Sequence, residues 1–163
     1  MLFRSAGITR DQLMVRLSDE DWLQVINTNL NGAFYCSRAA VKYMMKKRYG
    51  RIINISSVVG ISGNAGQTNY AAAKSGLLGL TFSIAHEYGR RGINANAVAP
   101  GYIQSNMTAK LSPEQTEKIK SGIAVGRLGT SDDIAGVIAF LASPAADYIN
   151  GQVIRVDGGL SGL

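Results

Sequence analysis

Three short β-prone runs, at 51–56, 93–99 and 151–157, alternate along this chain with segments of helical periodicity. No other feature narrows the fold as much. Strands joined through helices run parallel, since the crossover returns the chain to its starting edge, and such crossovers are right-handed. The alternation therefore predicts an α/β domain, a doubly wound parallel sheet with helices on both faces. A complete sheet of the nucleotide-binding kind has two βαβαβ halves, and three strands amount to less than that. Nor does a glycine-rich phosphate turn follow a first strand. Gly60, Gly63 and Gly66 keep a glycine rhythm, but they follow the wrong strand at the wrong spacing.

Helix boundaries can be read from capping chemistry. Ser18 is placed to cap a helix whose first turn carries Asp19, Glu20 and Asp21. Trp22, Val25, Ile26, Leu30, Phe34, Val41 and Met44 continue it as one long amphipathic helix, ending in Lys46-Lys47-Arg48 with Gly50 as the stop. A second helix is expected over 69–88. Ser112-Pro113-Glu114 opens a third, to about 123, and Ser131-Asp132-Asp133 caps a fourth, to about 142.

Composition excludes several classes. A chain of 163 residues, 46% of them hydrophobic, can fill the core of one domain, which excludes a disordered segment. A single cysteine, Cys36, excludes a disulfide scaffold and reads as a core or interface residue in a reducing compartment. The N-terminal residues carry no apolar signal region, and the longest uncharged run, 52–73, is broken by polar residues. The expectation is a cytoplasmic protein without a membrane span. Formal charge is +6, and no acid lies between Trp22 and His86, where Arg38, Lys42, Lys46, Lys47, Arg48, Arg51 and Lys74 are basic. Such a field suits an acidic partner or a solvated helix end. Nucleic acid fits poorly, because neither interleaved aromatics nor zinc-ligand spacing accompanies the charge.

Tyr70 and Lys74 stand four apart at the start of a helix and so share a face. An ammonium beside a phenol favours phenolate, which predicts a lowered pKa for Tyr70 and a general acid or base nearer neutrality. Ala71, Ala72 and Ala73 between them allow a flat ligand to approach. Ser57 closes one strand and Pro100-Gly101 the next, at the edge where open α/β sheets bind ligands. Asn29 lies mid-helix, where an amide is a poor helix former and needs another reason to be present. Met107 falls in the loop after Pro100-Gly101, where it would either pack or face substrate. His86 lacks the second histidine of a zinc helix and reads as a helix-end residue, while Asp132 and Asp133 read as cap residues rather than a metal pair.

Together, Asn29, Ser57, Tyr70-x-x-x-Lys74 and Pro100-Gly101 resemble the short-chain dehydrogenase/reductase family. The likeness extends through Ile52-Ile53-Asn54-Ile55-Ser56-Ser57, Asn69-Tyr70, Asn96-Ala97-Val98-Ala99-Pro100-Gly101, Gly126-Arg127-Leu128-Gly129 and Asp157-Gly158-Gly159. Gly7-Ile8-Thr9-Arg10-Asp11 and Gly63-Asn64-Ala65-Gly66-Gln67 are most similar to the branch that reduces β-ketoacyl groups on acyl carrier protein. The resemblance implies a Rossmann-like fold, an NADP(H) cofactor (NAD(H) being the other choice) and an acyl carrier protein thioester as substrate. It implies Tyr70 as proton donor, Lys74 lowering its pKa and holding the nicotinamide ribose, Ser57 polarising the carbonyl, and Asn29 holding a water that resupplies Lys74. Pro100, Gly101 and Ile103 would lie by the nicotinamide. Arg48 and Arg91 would dock the acidic carrier, and the chain would form a homotetramer through its two long helices and last strand.

The family's Asn-Asn-Ala-Gly stands here as Arg4-Ser5-Ala6-Gly7, so the resemblance stops at Ala6, and residues 1–5 are expected to be a non-native leader on the C-terminal part of the fold. With the first half absent, the 52–56 strand is expected to become a hydrophobic edge and NADPH to bind weakly or not at all. Two other functions stay open: a short-chain dehydrogenase for a small alcohol, sugar or hydroxy acid, and a non-catalytic interaction module.

Overall fold

The structure, a computed structural model, describes residues 1–104 and 112–160. All three expected strands are present, and a fourth joins them. Strands β1 (Leu2–Arg4), β2 (Gly50–Ile55), β3 (Ile93–Pro100) and β4 (Val153–Val156) lie in that spatial order, every neighbour parallel. The extra strand arises inside the supposed leader: Leu2, Phe3 and Arg4 pair with Ile52, Ile53 and Asn54. As a result, β2 is not an edge. β1 covers one side of it and β3 the other, so the sheet ends at β1 and β4.

Among the described residues six α-helices surround the sheet: α1 (Asp19–Ile26), α2 (Gly32–Lys47), α3 (Val59–Ser62), α4 (Thr68–Tyr88), α5 (Pro113–Ser121) and α6 (Ser131–Ala142). Successive strand residues point to opposite faces, which sorts the core into two layers. Ile52, Ile93 and Ala95 pack with Val41, Met44, Ile84 and Ala85 of α2 and α4. Ile53 and Val98 pack on the other face with Leu141 of α6 and Ala146. Each such isoleucine, fully buried, contributes about 1.5–3 kcal/mol over its exposed state. This is the doubly wound, Rossmann-like arrangement expected of the alternation.

The long first helix is not continuous. A π turn, Asn27–Asn31, separates α1 from α2, with Asn29 fully buried at its centre. Ser18 caps α1 as expected, accepting from the Asp21 N–H. Gly50 is not the stop of α2; Arg48 takes the left-handed position at φ 48°, and Gly50 already begins β2. Ahead of α6 the cap is Thr130 rather than Ser131, in a capping box with Asp133. Cys36 is exposed on α2, which removes the core reading.

Polar residues inside the strands are held by specific partners. Asn54 donates to Thr81 of α4, and Asn94 and Asn96 donate to backbone carbonyls of 147 and 149 beyond α6. Arg51 is buried, stacks 4.6 Å from the Tyr49 ring centroid and pairs with Asp147. Arg51 and Lys74 therefore do not belong to a solvated basic face, although the sequence groups them with it. Among the described residues no helix is long and apolar enough to cross a membrane.

Candidate active site

Parallel pairing brings the C-terminal ends of β2 and β3 side by side. The Ser56 N–H donates to the Val98 carbonyl (2.8 Å) and the Val58 N–H to the Pro100 carbonyl (3.0 Å), so Ser57 sits beside the last residue of β3. The Ser57 hydroxyl accepts from the Val59 N–H at 3.2 Å, which launches the single turn of α3. Helix α4 is fastened to the same strand end twice. The Ser56 hydroxyl donates to the Lys74 carbonyl (2.8 Å), and the Lys74 ammonium donates to the Ile55 carbonyl (2.8 Å). Gly60 makes that docking fit, because a Cβ there would stand 2.8 Å from both the carbonyl carbon and the Cβ of Lys74.

Tyr70 lies one turn before Lys74, whose ammonium is 5.5 Å from the phenol ring centroid, and the Ser57 hydroxyl is near enough to Tyr70 to act on its pKa. Ser57, Tyr70 and Lys74 thus come together as the spacing predicts. The expected direction of the Tyr70 pKa does not hold. Burial, which disfavours phenolate, pushes it above the ordinary tyrosine value; the Ser57 hydrogen bond opposes this and the Asp11 charge adds to it. The Lys74 ammonium donates to the Ile55 carbonyl, and burial remains the largest influence on the phenol.

Asn29 approaches from the π turn. Its carbonyl oxygen accepts from the Ile8 N–H and its amide donates to the Ile8 carbonyl, both at 2.9 Å. That reciprocal pair is the reason for an amide in mid-helix: it ties the loop after β1 to the helix, and π turns are frequent at functional sites. A Cβ on Gly7 would stand 3.2 Å from the Asn29 side-chain oxygen and 3.6 Å from the Lys74 nitrogen, so all three share one space.

Asn69 is a further buried residue here that spacing did not single out. Its amide donates to the Arg10 carbonyl at 3.0 Å and its oxygen accepts from the Tyr70 N–H at 2.8 Å. Alongside it, the Gln12 N–H donates to the Gly66 carbonyl (2.8 Å) and the Gln67 amide donates to the Asp11 carboxylate (2.9 Å). The two stretches most similar to the β-ketoacyl reductase branch, 7–11 and 63–67, therefore meet in space.

Pro100 and Gly101 lie beside β4, the Gly101 N–H donating to the Val156 carbonyl at 3.0 Å. Ile103 forms a parallel bridge with Gly129 and lines a cleft of about 220 Å³ with Tyr102, Val125, Arg127, Val156 and Asp157. This cleft does not reach Ser57, Tyr70 or Lys74. Met107, expected nearby, lies outside the described residues. Arg48 and Arg91 are exposed and close to one another, the Arg48 guanidinium donating to the Arg90 carbonyl at 3.3 Å. They precede the first residues of β2 and β3, whereas Ser57 and Pro100 follow or end those strands. Six ladder pairs at about 3.3 Å per residue put roughly 20 Å of strand between the arginines and Ser57. No cluster of three or more metal-ligating side chains occurs among the described residues.

The family model described as enoyl-(acyl carrier protein) reductase matches residues 1–161. Among curated proteins, the chain is 54% identical to the 3-oxoacyl-[acyl-carrier-protein] reductase FabG of Rickettsia felis, over 98% of this chain and 66% of that protein. It is 51% identical to the FabG of Escherichia coli K12 over the same shares. A crystal structure from Agrobacterium tumefaciens, provisionally assigned as a gluconate dehydrogenase, superposes with a TM-score of 0.94 at 40% identity, covering 98% of this chain and 64% of that one. The chain thus spans about two thirds of the length of the relatives it matches.

Proposed function

Because the chain belongs to the short-chain dehydrogenase/reductase family, we propose that it carries the catalytic part of an NADP(H)-dependent 3-oxoacyl-carrier-protein reductase. One observation supports this above the others: Ser57, Tyr70 and Lys74 converge at the C-terminal ends of β2 and β3, where an open α/β sheet binds its ligand. The chemistry of the residues fits the nicotinamide-ribose end of such a cofactor, since the Lys74 ammonium, a donor suited to ribose hydroxyls, lies beside Tyr70, and only a glycine at position 7 avoids crowding Asn29 and that ammonium. Pro100, Gly101 and Ile103 would flank it. A reduced nicotinamide, when bound there, supplies hydride chemistry. Ser57 then donates a hydrogen bond to the ketone oxygen and Tyr70 transfers its proton to that oxygen. Lys74 stabilises the phenolate that remains. Asn29 ties the loop after β1 beside Lys74 and would hold a water that resupplies Lys74 with protons.

The 3-oxoacyl thioester is favoured by the likeness of 7–11 and 63–67 to that branch and by the exposed Arg48 and Arg91, which suit an acidic carrier protein. A homo-oligomer, expected to be a tetramer, and a cytoplasmic location complete this reading. The Agrobacterium likeness supports a second one, reduction or oxidation of a small sugar acid by the same residues.

A chimera tests both. The third of the Escherichia coli relative that this chain does not cover is joined to it, NADPH consumption is followed with an acetoacetyl thioester and with a keto sugar acid, and NADP+ reduction with a hydroxy sugar acid. Turnover of the thioester is expected, reduced at least about 100-fold by Tyr70→Phe with the circular dichroism spectrum unchanged. Turnover indifferent to Tyr70→Phe refutes the catalytic reading, and turnover of the sugar acid alone selects the second.

A further inference from the structure

The clasp between the loop after β1 and the start of α4 includes a carboxylate that no catalytic role requires. Asp11 is exposed on one side and accepts from the Gln67 amide on the other, at 2.9 Å. Gln67 is held in turn by the Asn64 amide donating to its carbonyl oxygen, also at 2.9 Å. Gln67 is the N-cap residue of α4, three positions before Tyr70. The same clasp contains the Gln12–Gly66 backbone bond and the Asn69 bonds to Arg10 and Tyr70. Whatever shifts Asp11 shifts the turn from which the tyrosine is launched.

We infer that Asp11 is a positioning residue for the proton donor: it fastens the start of the Tyr70 helix through Gln67 and presents a negative charge to the phenol. The inference rests on Tyr70 being the proton donor. A negative charge near a phenol disfavours phenolate, and among the causes of the upward displacement of Tyr70, Asp11 is the charged group. The other charges around Tyr70 are arranged differently. From α4 itself, the Lys74 ammonium faces the ring but is bonded to the Ile55 carbonyl. On the loop after β1, Arg10 is drawn towards Asp21 of α1, 3.7 Å away. The end of β2, α3 and the loop before α4 face Tyr70 with neutral residues, Ser57 among them. Asp11 therefore acts on the phenol in the direction that keeps it a donor, which suits reduction.

Two substitutions separate its tasks. Asp11→Asn removes the charge and keeps an oxygen for Gln67; Asp11→Ala removes both. The purified chain, labelled with 13Cζ-tyrosine, is titrated by NMR, the Tyr70 signal being identified by its loss in Tyr70→Phe. Expected is a Tyr70 midpoint at lower pH in Asp11→Asn than in the parent, with the Gln12 amide equally protected from hydrogen exchange. In Asp11→Ala the Gln12 amide is expected to exchange faster. A Tyr70 midpoint in Asp11→Asn equal to or above that of the parent overturns the inference, as does unchanged Gln12 exchange in Asp11→Ala. The titration uses no cofactor, so its failure is distinct from failure of the reductase reading, which the Tyr70→Phe turnover measurement decides.

Discussion

Replacing Gly60 by alanine sets two physical arguments against each other with opposite signs. Gly60 lies in the one-turn helix α3 without a positive φ, so helix propensity alone predicts that alanine stabilises, by up to about 1 kcal/mol. Packing predicts the reverse. The added Cβ would meet the Lys74 carbonyl carbon and Cβ at 2.8 Å and the Ser56 hydroxyl oxygen at 2.9 Å, where ordinary contact begins at 3.4 Å. Helix α4 must therefore withdraw by about 0.6 Å, the difference of 3.4 and 2.8 Å. Two of the three close atoms belong to the helix that carries the candidate site, and they are not the free end of a flexible side chain. Overpacking of this kind costs about 1–3 kcal/mol. Weakening the Ser56–Lys74 bond adds roughly 1 kcal/mol. Net of propensity, the variant should lose about 1–3 kcal/mol. In urea, with a slope near 1–3 kcal/mol per M, this appears as a midpoint lower by about 1 M at an unchanged slope. A Gly60→Ala midpoint equal to or higher than that of the parent would refute the close-approach argument, and with it the rigid docking of α4 at Ser56 and Lys74.

Other outcomes follow from single contacts. Asp147→Ala strips the carboxylate from Arg51, whose guanidinium is 4% exposed while the Asp147 side chain is 64% exposed. With one partner wet the loss is about 1–3 kcal/mol, short of that for a fully buried pair, and thermal unfolding measures it. Asp133 has its carboxyl held well below the usual carboxylate range, first by the Arg127 guanidinium and then by Thr130. A depressed folded pKa stabilises above the unfolded value of about 3.9 and ceases to do so as pH falls through the folded one. Asp133→Asn should therefore flatten the acid side of a Tm-against-pH curve, and an unchanged acid side counts against the pairing. In the chimera, Arg48→Glu with Arg91→Glu should raise KM for carrier-bound thioester at least about tenfold in low salt while leaving a small thioester untouched. Equal effects on both substrates would remove the docking role.

Legibility in the sequence tracked how local each interaction is. Helices α5 and α6 carry their own caps, α4 its Ala- and Leu-rich composition, and β2, β3 and β4 their β-prone runs, so their residues suffice to predict them. Strand β1 carries none: Leu2, Phe3 and Arg4 become a strand because β2 offers a parallel partner. The π turn is equally silent, since an extra residue inside a helix leaves the apolar spacing on either side intact. Its one trace is the amide-rich Asn27-Thr28-Asn29, in which the Asn29 amide bonds to Ile8, twenty-one residues away. A local signal was available at α6, where Thr130-x-x-Asp133 is a capping-box spacing that outranks Ser131. Within the site, Tyr70, Lys74 and Ser57 are legible because two share a helix face and the third ends a strand. Asn69, Asp11 and Gln67 are not, because their bonds close loops of 56 to 59 residues between segments with no periodicity.

The pKa of Tyr70 is where local logic and structure part most usefully. Four-residue spacing places an ammonium beside a phenol, and charge alone then predicts a weaker hold on the proton. That argument treats the pair as if it stood in uniform solvent. In the folded chain, desolvation is the largest influence on the phenol and favours the neutral form, while the ammonium is directed at a strand-end carbonyl. A tyrosine raised in this way is fully protonated at neutral pH, the form a carbonyl reduction consumes. The lysine acts on the same proton equilibrium in the opposite sense, because a phenolate there has a fixed cation 5.5 Å from its ring centroid. Burial thus holds the proton on Tyr70, while the Ser57 hydroxyl and the Lys74 charge act on the same equilibrium in the opposite direction.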